Sequence, residues 1–455
     1  MSTRLPTIRL TRFDRLVIAT VAVLLAALAI TIVLGDHVGV TLVRFGPQDN
    51  ARTTQWITLQ FSETMDRASV TDRLTVAPAL ATEASWSSNT LILRPLEVMP
   101  PGATYTVTLA AGAQSTGGRA VLAEHVFSFT VQLPDVVYLA PANGTPQNLW
   151  LASGANPDAA RQITFSEAGI FNYDVSPDGS RIAFAEHNRA TNSIDLKLLD
   201  LASGEITPLL ACPEADCTTP VWSPDGRTIA YERMDFNRDV NTGASPTRVW
   251  LLDMSATPAT TRPLFNDSQV LGSQPVWSPD GRYLASFDAS GPGIIVYDWE
   301  SGESALIPSN HGVVGTFSPD GTRLLYPNAV FTETGSRTNM QIADLTTRQI
   351  TPLTEAGEPL DDERAAWNPD GSFIAVSRRY LDDRYTAGRQ LYRLDPETGE
   401  ASPLLVDEGY YHGYFEWDPT GQQLLVQRFP QPGDTLGVSD DVTPEIWALD
   451  VAHET

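Results

Sequence analysis

A nine-residue phrase occurs six times from residue 176 onward and restricts the fold more than any other feature. It reads SPDGSRIAF at 176, SPDGRTIAY at 223, SPDGRYLAS at 278, SPDGTRLLY at 318, NPDGSFIAV at 368 and DPTGQQLLV at 418. The starts are 47, 55, 40, 50 and 50 residues apart. After each copy a second apolar run ends in Asp: IDLKLLD, VWLLD, IIVYD, MQIAD, LYRLD and EIWALD. Short strands repeating every 40–50 residues predict four-stranded blades arranged as a β-propeller. Within the phrase, Pro presets φ near −65°, Asp caps the turn and Gly accepts positive φ. The marker acids Asp178, Asp225, Asp280, Asp320 and Asp370 therefore read as turn corners, although a Ser beside an acid invites a catalytic reading; position 420 carries Thr instead.

Six markers give six blades, while the extra pair VVYLAP and NLWLAS (136–141 and 149–153), followed by RQITF, gives seven, and seven is favoured. The chain ends at LDVAHET without an evident outer strand, so N-terminal strands are expected to close the ring against C-terminal ones. The array, 135–455, resembles the TolB-like propellers, whose blades carry the same W-S-P-D-G hairpin. The block before it differs from the domain that TolB itself carries, so a TolB role in an outer-membrane complex is not implied.

That block, 39–132, alternates apolar and polar residues in WITLQFS, RLTVAP, TLILRP, TYTVTLAAG and HVFSFTVQL, with Pro, Gly and Ser between the runs. Period-2 alternation over about a hundred residues predicts a β-sandwich. FSETMD (61–66), LRPLEVMPPGATYTVTL (93–109) and FSFTV (127–131) resemble the bacterial Ig-like domain of exported proteins, which implies a spacer or adhesion module. The fold class is thus all-β, a sandwich followed by a propeller.

The N-terminus adds one helix. Residues 1–15 carry Arg4, Arg9, Arg12 and Arg15 against Asp14, and residues 16–35 carry no charge. Twenty residues at 1.5 Å each span about 30 Å, the thickness of a hydrocarbon core. Arginines in front of the span predict a cytoplasmic tail, a single-pass transmembrane helix and an extracytoplasmic remainder. An apolar run of this length exceeds that of a cleaved signal peptide, so an anchor is expected. Cys212 and Cys217, the only cysteines, then face an oxidising space and are expected to form a local disulfide.

Composition narrows the partners. With 30 basic and 55 acidic residues the net charge is −25, which opposes binding to nucleic acid and to anionic lipid surfaces. No G-x-S-x-G elbow, phosphate loop, H-E-x-x-H or Cys/His cluster occurs, so no cofactor, metal or catalytic residue is assigned. The single calcium-type spacing is Asp235, Asn237, Asp239 and Asn241, with Val240 where an EF-hand needs Gly and Pro246 where it needs Glu; a hairpin loop explains it as well.

The loops leading into each marker differ from copy to copy, and in a propeller they meet at one mouth of the channel. Gln274, His311, Asp362, Glu363, Arg364, Tyr411 and His412 are expected on that rim, with the two histidines at similar places in their repeats. A membrane-anchored protein of a bacterial cell envelope that binds a protein, peptide or glycan is the expected function. One alternative is a hydrolase or lyase using His311, His412 and nearby carboxylates at the channel mouth. The other is an envelope scaffold without a specific ligand.

Overall fold

The marker turn is built from one hydroxyl, one carboxylate and the backbone. In a computed structural model describing residues 11–35, 39–142, 146–154, 156–236, 243–256, 258–332, 335–355, 357–430 and 445–451, Ser223 Oγ donates to Asp225 Oδ1 at 2.6 Å. The same oxygen accepts the Arg227 N–H at 3.0 Å, and Ser223 Oγ accepts the Thr228 N–H at 2.9 Å. Gly226, with φ +67°, donates its N–H to the Ser223 carbonyl at 2.8 Å. The Ser176–Asp178, Ser278–Asp280 and Ser318–Asp320 pairs repeat the bond at 2.6, 2.5 and 2.5 Å. The marker acids are corners, as their spacing implied.

The last copy keeps the pair with its members exchanged. Asp418 stands where Ser would, Thr420 stands where Asp would, and the Thr420 hydroxyl donates to the Asp418 carboxylate. Asp418 Oδ1 accepts the Gln423 N–H at 2.7 Å, the bond that Ser Oγ receives elsewhere. This repeat therefore does not dispense with the acid; the acid has moved two residues. A second family of acids ends the third strands. Backbone N–H groups of Ser203, Thr347 and Thr398 donate to Asp200, Asp344 and Asp395 at 2.8, 2.7 and 2.8 Å and hold these carboxyls below the ordinary range.

The turns organise seven antiparallel sheets. Five have four strands, with first strands Ile170–Val175, Ala215–Trp222, Ser273–Trp277, Thr316–Phe317 and Leu360–Trp367. The sheets before and after these have three described strands each, running Val136–Ala140, Asn148–Ser153, Asn156–Gln162 and Tyr410–Trp417, Gln423–Pro430, Glu445–Asp450. Numbered in chain order, they are blades 1 to 7. Blades 2 and 3 share a one-residue parallel bridge, Ile194 to Asp216. Among the described residues the strands of both end blades are local, and no N-terminal strand pairs with a C-terminal one.

Neighbouring blades adhere through apolar clusters. Leu325, Met340, Ile342 and Leu353 of blade 5, for example, pack on Trp367, Ile374, Val376 and Leu394 of blade 6. Equivalent clusters join blades 1 to 2, 2 to 3, 3 to 4, 4 to 5 and 6 to 7. A stacking rule recurs at four junctions: the residue five after one marker start lies on the aromatic just before the next. Arg181 covers Trp222 at 4.9 Å, Tyr283 stacks on Phe317 at 6.4 Å, Arg323 covers Trp367 at 4.9 Å and Phe373 meets Trp417 edge-on at 5.3 Å. Pairs of this kind contribute about 0.5–1.5 kcal/mol beyond area burial.

The N-terminal unit is a sandwich of two four-stranded sheets. One has the order β1 (Leu42–Gly46), β3 (Ile57–Phe61), β6 (Thr90–Pro95), β5 (Thr82–Ser87). The other has the order β2 (Asn50–Ala51), β8 (His125–Val131), β7 (Thr104–Leu109), β4 (Leu74–Ala77). Alternate residues face the core, with Ile57, Leu59 and Phe61 opposite Tyr105, Val107 and Leu109. In FSETMD, Met65 is buried and Asp66 caps the short helix Arg67–Thr71 by accepting the Ala68 N–H at 3.1 Å.

The apolar helix runs Arg12–Gly35, four residues longer than its uncharged run. The extension has a local cause: Thr11 caps it, donating its N–H to Asp14 at 2.8 Å and accepting the Asp14 N–H at 3.2 Å. The helix is long and apolar enough to cross a membrane.

The exchanged turn supplies a stability test. Asp418→Ser removes the carboxylate and Thr420→Asp places two together, so each is expected to cost about 1–2 kcal/mol. The double variant rebuilds the Ser–Pro–Asp–Gly turn and should melt within a degree or two of the parent. Additive losses in the double variant would refute the exchange.

Candidate functional site

Blades 3, 4, 6 and 7 have irregular inner strands. Register breaks lie between Thr218 and Val221, Ser273 and Val276, Asp362 and Ala365, and His412 and Phe415, always just ahead of the marker aromatic. Such a bulge bends the strand and re-aims the side chains beside it. Thr219 and Gln274, both four residues before a marker start, take φ +50° and +52°. That repeat position holds Asn172, Thr219, Gln274, Val314, Arg364 and Tyr414.

Four of those six residues, Gln274, Val314, Arg364 and Tyr414, line one cavity of about 640 Å³ among blades 4 to 7. His311, Glu363, Tyr411 and His412 line it too, so six of the seven rim residues expected from sequence share one space. The seventh, Asp362, does not. Its side chain is 0% exposed and forks with Arg378, Nε to Oδ1 at 2.7 Å and Nη2 to Oδ2 at 2.9 Å. The bulge explains the correction: Leu360, Asp361 and Asp362 are buried in succession ahead of the register break, and Glu363 and Arg364 beyond Asp362 are exposed. Burial opposes both charges, and the two-pronged bond offsets this, holding the Arg378 guanidinium charged.

Two arginines that the marker spacing did not reveal complete the wall. Arg379 comes from the second strand of blade 6 and Arg389 from the loop that follows it. Buried Asp361 ties them together, accepting from Arg379 Nη2 at 3.2 Å and Arg389 Nη2 at 2.5 Å, with the Thr338 N–H at 3.1 Å. Glu363 meets Arg389 Nη1 at 3.1 Å. Arg364 lies over the Tyr414 ring at 4.3 Å, and Tyr411 stacks on Phe429 at 4.7 Å. Gln274 is anchored by its own N–H to Glu232 at 2.7 Å and by its side-chain amide to the Gly312 carbonyl at 3.2 Å.

The histidines are not equivalent. His412 belongs to the inner strand of blade 7 and is 2% exposed; His311 precedes the inner strand of blade 5 and is half-buried. They stand six and seven residues before their marker starts, which is one register step apart. Burial pushes His412 down to about 4 and lowers His311 against the pull of Glu363 and Asp361. Both imidazoles are neutral at pH 7. Both His412 ring nitrogens, His311 Nδ1, Arg379 Nε and Arg389 Nε are buried without a protein hydrogen-bond partner. Buried polar atoms ordinarily find partners, so these five, like the indole nitrogens of Trp222, Trp277 and Trp367, are exceptions, and their burial closes them to solvent.

Two further carboxylates sit two residues before a marker start, Asp174 in blade 2 and Glu416 in blade 7. Burial pushes Asp174 up to about 7, against N–H bonds from Trp222 (2.7 Å) and Val175, with the Glu416 charge adding to the rise. Glu416 is also raised by the protein around it, with Arg364 opposing, although its side chain is exposed.

The remaining sequence candidates separate. Cys212 and Cys217 form a disulfide in blade 3. Asp235, the first of the calcium-type acids, pairs with Arg233 at 2.8 Å, while Asn237, Asp239 and Asn241 lie outside the described residues.

Two titrations follow from these environments. The folded protein holds the Asp174 proton to higher pH than the unfolded chain, where Asp titrates near about 3.9. Ionisation therefore costs stability as pH rises from about 4 to 7. Asp174→Asn is expected to raise Tm clearly at pH 8 and little at pH 4; an equal change at both would refute the titration. For His412, the imidazole should keep its neutral NMR signature at about pH 5.5, where an ordinary histidine is mostly protonated. A protonated signature there would contradict its burial.

Comparison with known proteins agrees with this architecture. The bacterial Ig-like domain family matches residues 36–131. The Tol-Pal system protein TolB of Alcanivorax borkumensis is 28% identical over 198 residues, covering 43% of this chain and 40% of TolB. The uncharacterized peptidase YuxL of Bacillus subtilis is 33% identical over 122 residues, covering 26% of this chain and 18% of its own. The chain thus spans less than half the length of these curated relatives. Among solved structures, oligogalacturonate lyase from Vibrio parahaemolyticus superposes with TM-score 0.51 at 13% identity, covering 83% of this chain and 98% of that one; the likeness is one of fold. The chain therefore carries a match to the bacterial Ig-like domain over residues 36–131, followed by a β-propeller that is similar in sequence to part of TolB.

Proposed function

We propose that this protein is an anchored, extracytoplasmic binding protein of the cell envelope, and that the cavity at the propeller mouth is its recognition site. The carrying observation is that unlike residues at equivalent repeat positions of four successive blades, Gln274, Val314, Arg364 and Tyr414, share one cavity of about 640 Å³ with Arg379, Arg389 and Tyr411. The helix Arg12–Gly35 supplies the anchor and the Ig-like domain the spacer. The TolB relative, named for the Tol-Pal system, supports an envelope setting.

Binding accounts for the site better than catalysis does. General acid–base chemistry needs a carboxylate or imidazole free to exchange a proton with substrate. Here Asp361, Asp362 and Glu363 are each engaged by arginine, and burial depresses the basicity of both imidazoles.

Ala387 is exposed and lines the cavity without taking part in its ion pairs, so Ala387→Trp blocks the space and leaves the fold intact. Full-length protein in nanodiscs is expected to bind envelope fractions of the producing cell, and A387W to lose at least about tenfold in affinity at unchanged Tm. Undiminished binding by A387W would move recognition elsewhere, and no binding by the parent would favour a scaffold.

A further inference from the structure

Blade 7 is exposed along an edge that is covered in blades 2 to 6. In those five a fourth strand pairs with the third: Ile206–Leu210, Thr260–Pro263, Ser304–Pro308, Gln349–Pro352 and Ala401–Leu405. Among the described residues no strand pairs with the outer edge of Glu445–Asp450, the third strand of blade 7. The residue four before the strand-ending Asp shows the consequence. Leu196, Val249, Ile294, Met340 and Leu391 are at most 5% exposed, whereas Ile446, at the same place, is 46% exposed.

Such an edge is a template for another strand. In blades 3 and 5 the Leu264 and Leu353 N–H groups donate to the Val249 and Met340 carbonyls at 3.0 and 2.9 Å. By that equivalence and by strand alternation, the backbone groups of Ile446 and Ala448 point to the uncovered side. Exposed edges are ordinarily blunted by Lys, Pro or a bulge. EIWALD contains neither residue, and its pairing with Gln423–Pro430 runs without a register break.

The complete blades specify what fits. Where Trp447 stands, Lys197, Trp250, Gln341 and Tyr392 face Pro208, Pro263, Pro352 and Pro403. Arg428 covers the Trp447 ring at 3.9 Å much as Arg233 covers Trp250 at 4.8 Å. Where Ile446 stands, Leu196, Ile294 and Leu391 face Leu210, Ile307 and Leu405. Leu264, Ile307, Leu353 and Leu404 also enter the apolar cluster that joins their blade to the next. The matching occupant is an extended segment with a Pro-Leu step.

A second copy of this chain is a poor source for it. The fourth-strand Pro-Leu steps are each paired within their own blades, so lending one would unfold a blade. Antiparallel pairing of two EIWALD edges would oppose their terminal acids, Glu445 and Asp450, in a chain of net charge −25. Basic flanks on the added segment complement both acids.

We propose that blade 7 accepts its fourth strand from a partner protein, as an extended Pro-Leu segment with basic flanks. It lies antiparallel along Glu445–Asp450 with its proline opposite Trp447 and its leucine on Ile446. No residue of Glu445–Asp450 lines the cavity among blades 4 to 7, so this site is separate from the one argued above.

Calorimetry and thermal melting of the full-length protein in nanodiscs test this with a capped peptide, TRQITPLT, copying residues 347–354. Binding accompanied by a rise in Tm is expected. Asp in place of the peptide's leucine should weaken binding at least about tenfold. N-methylation of the peptide amides that face the edge should do the same, and N-methylation of the alternate amides should not. Ala448→Pro removes an outward N–H and spares the pairing with Gln423–Pro430, so it should lose at least about tenfold with the peptide-free Tm nearly unchanged. Ile446→Lys, on an exposed side chain, should lose a similar factor and guards against a folding defect in A448P. No binding, equal affinity of the Asp peptide, or undiminished binding by A448P and I446K would each overturn the proposal. A dimer in sedimentation that A448P dissociates would also overturn it, by assigning the edge to a second copy. A387W should bind the peptide as the parent does; loss of binding there would place the peptide in the cavity and overturn the proposal. Failure at this edge leaves the cavity reading, tested by envelope binding, standing.

Discussion

The propeller is organised by marker turns, five of the six closed by a hydrogen bond between a hydroxyl and a carboxylate two residues apart. It closes the turn between the first and second strands of a blade and satisfies the N–H groups that the turn exposes. Once the turn is fixed, so is the register of the hairpin, and with it the side of the sheet on which each apolar residue lies. The interblade clusters and the stack of one repeat on the aromatic of the next follow from that register. The exchanged pair in the last copy keeps the bond with its residues reversed, and the Asn368 copy does without it, its amide oxygen accepting the Asp370 N–H at 3.0 Å instead.

The same chemistry explains much of the acidity. Marker acids and strand-ending acids are committed to capping backbone N–H groups, so a large part of the negative charge is architectural. The overall charge of −25 therefore describes the surface at large and not the cavity, where arginines outnumber carboxylates. Charge can be spent on turns throughout a chain while one site keeps the opposite sign.

Much of the site could be found by counting. Stepping back four residues from each marker reaches Gln274, Val314, Arg364 and Tyr414, all on the cavity wall. Counting fails beside a bulge, because the bulge decides which neighbour faces out. Asp362 and Glu363 are indistinguishable in composition, yet one forks with Arg378 inside the blade and the other meets Arg389 at the cavity. Arg379 and Arg389 carry no repeat signature, since they arrive from a second strand and the loop after it.

The sequence by itself determined the blade repeat, the turn chemistry, the sandwich before the array and the apolar helix, because each is written in local spacing over ten to fifty residues. The tertiary structure alone decided that side chains from blades 4 to 7 share one cavity, that Asp361 holds two arginines together, and that two histidines become neutral. Those outcomes depend on burial and on the gathering of residues a hundred or more positions apart, such as Gln274 and Tyr414 on one cavity wall, which no local pattern encodes.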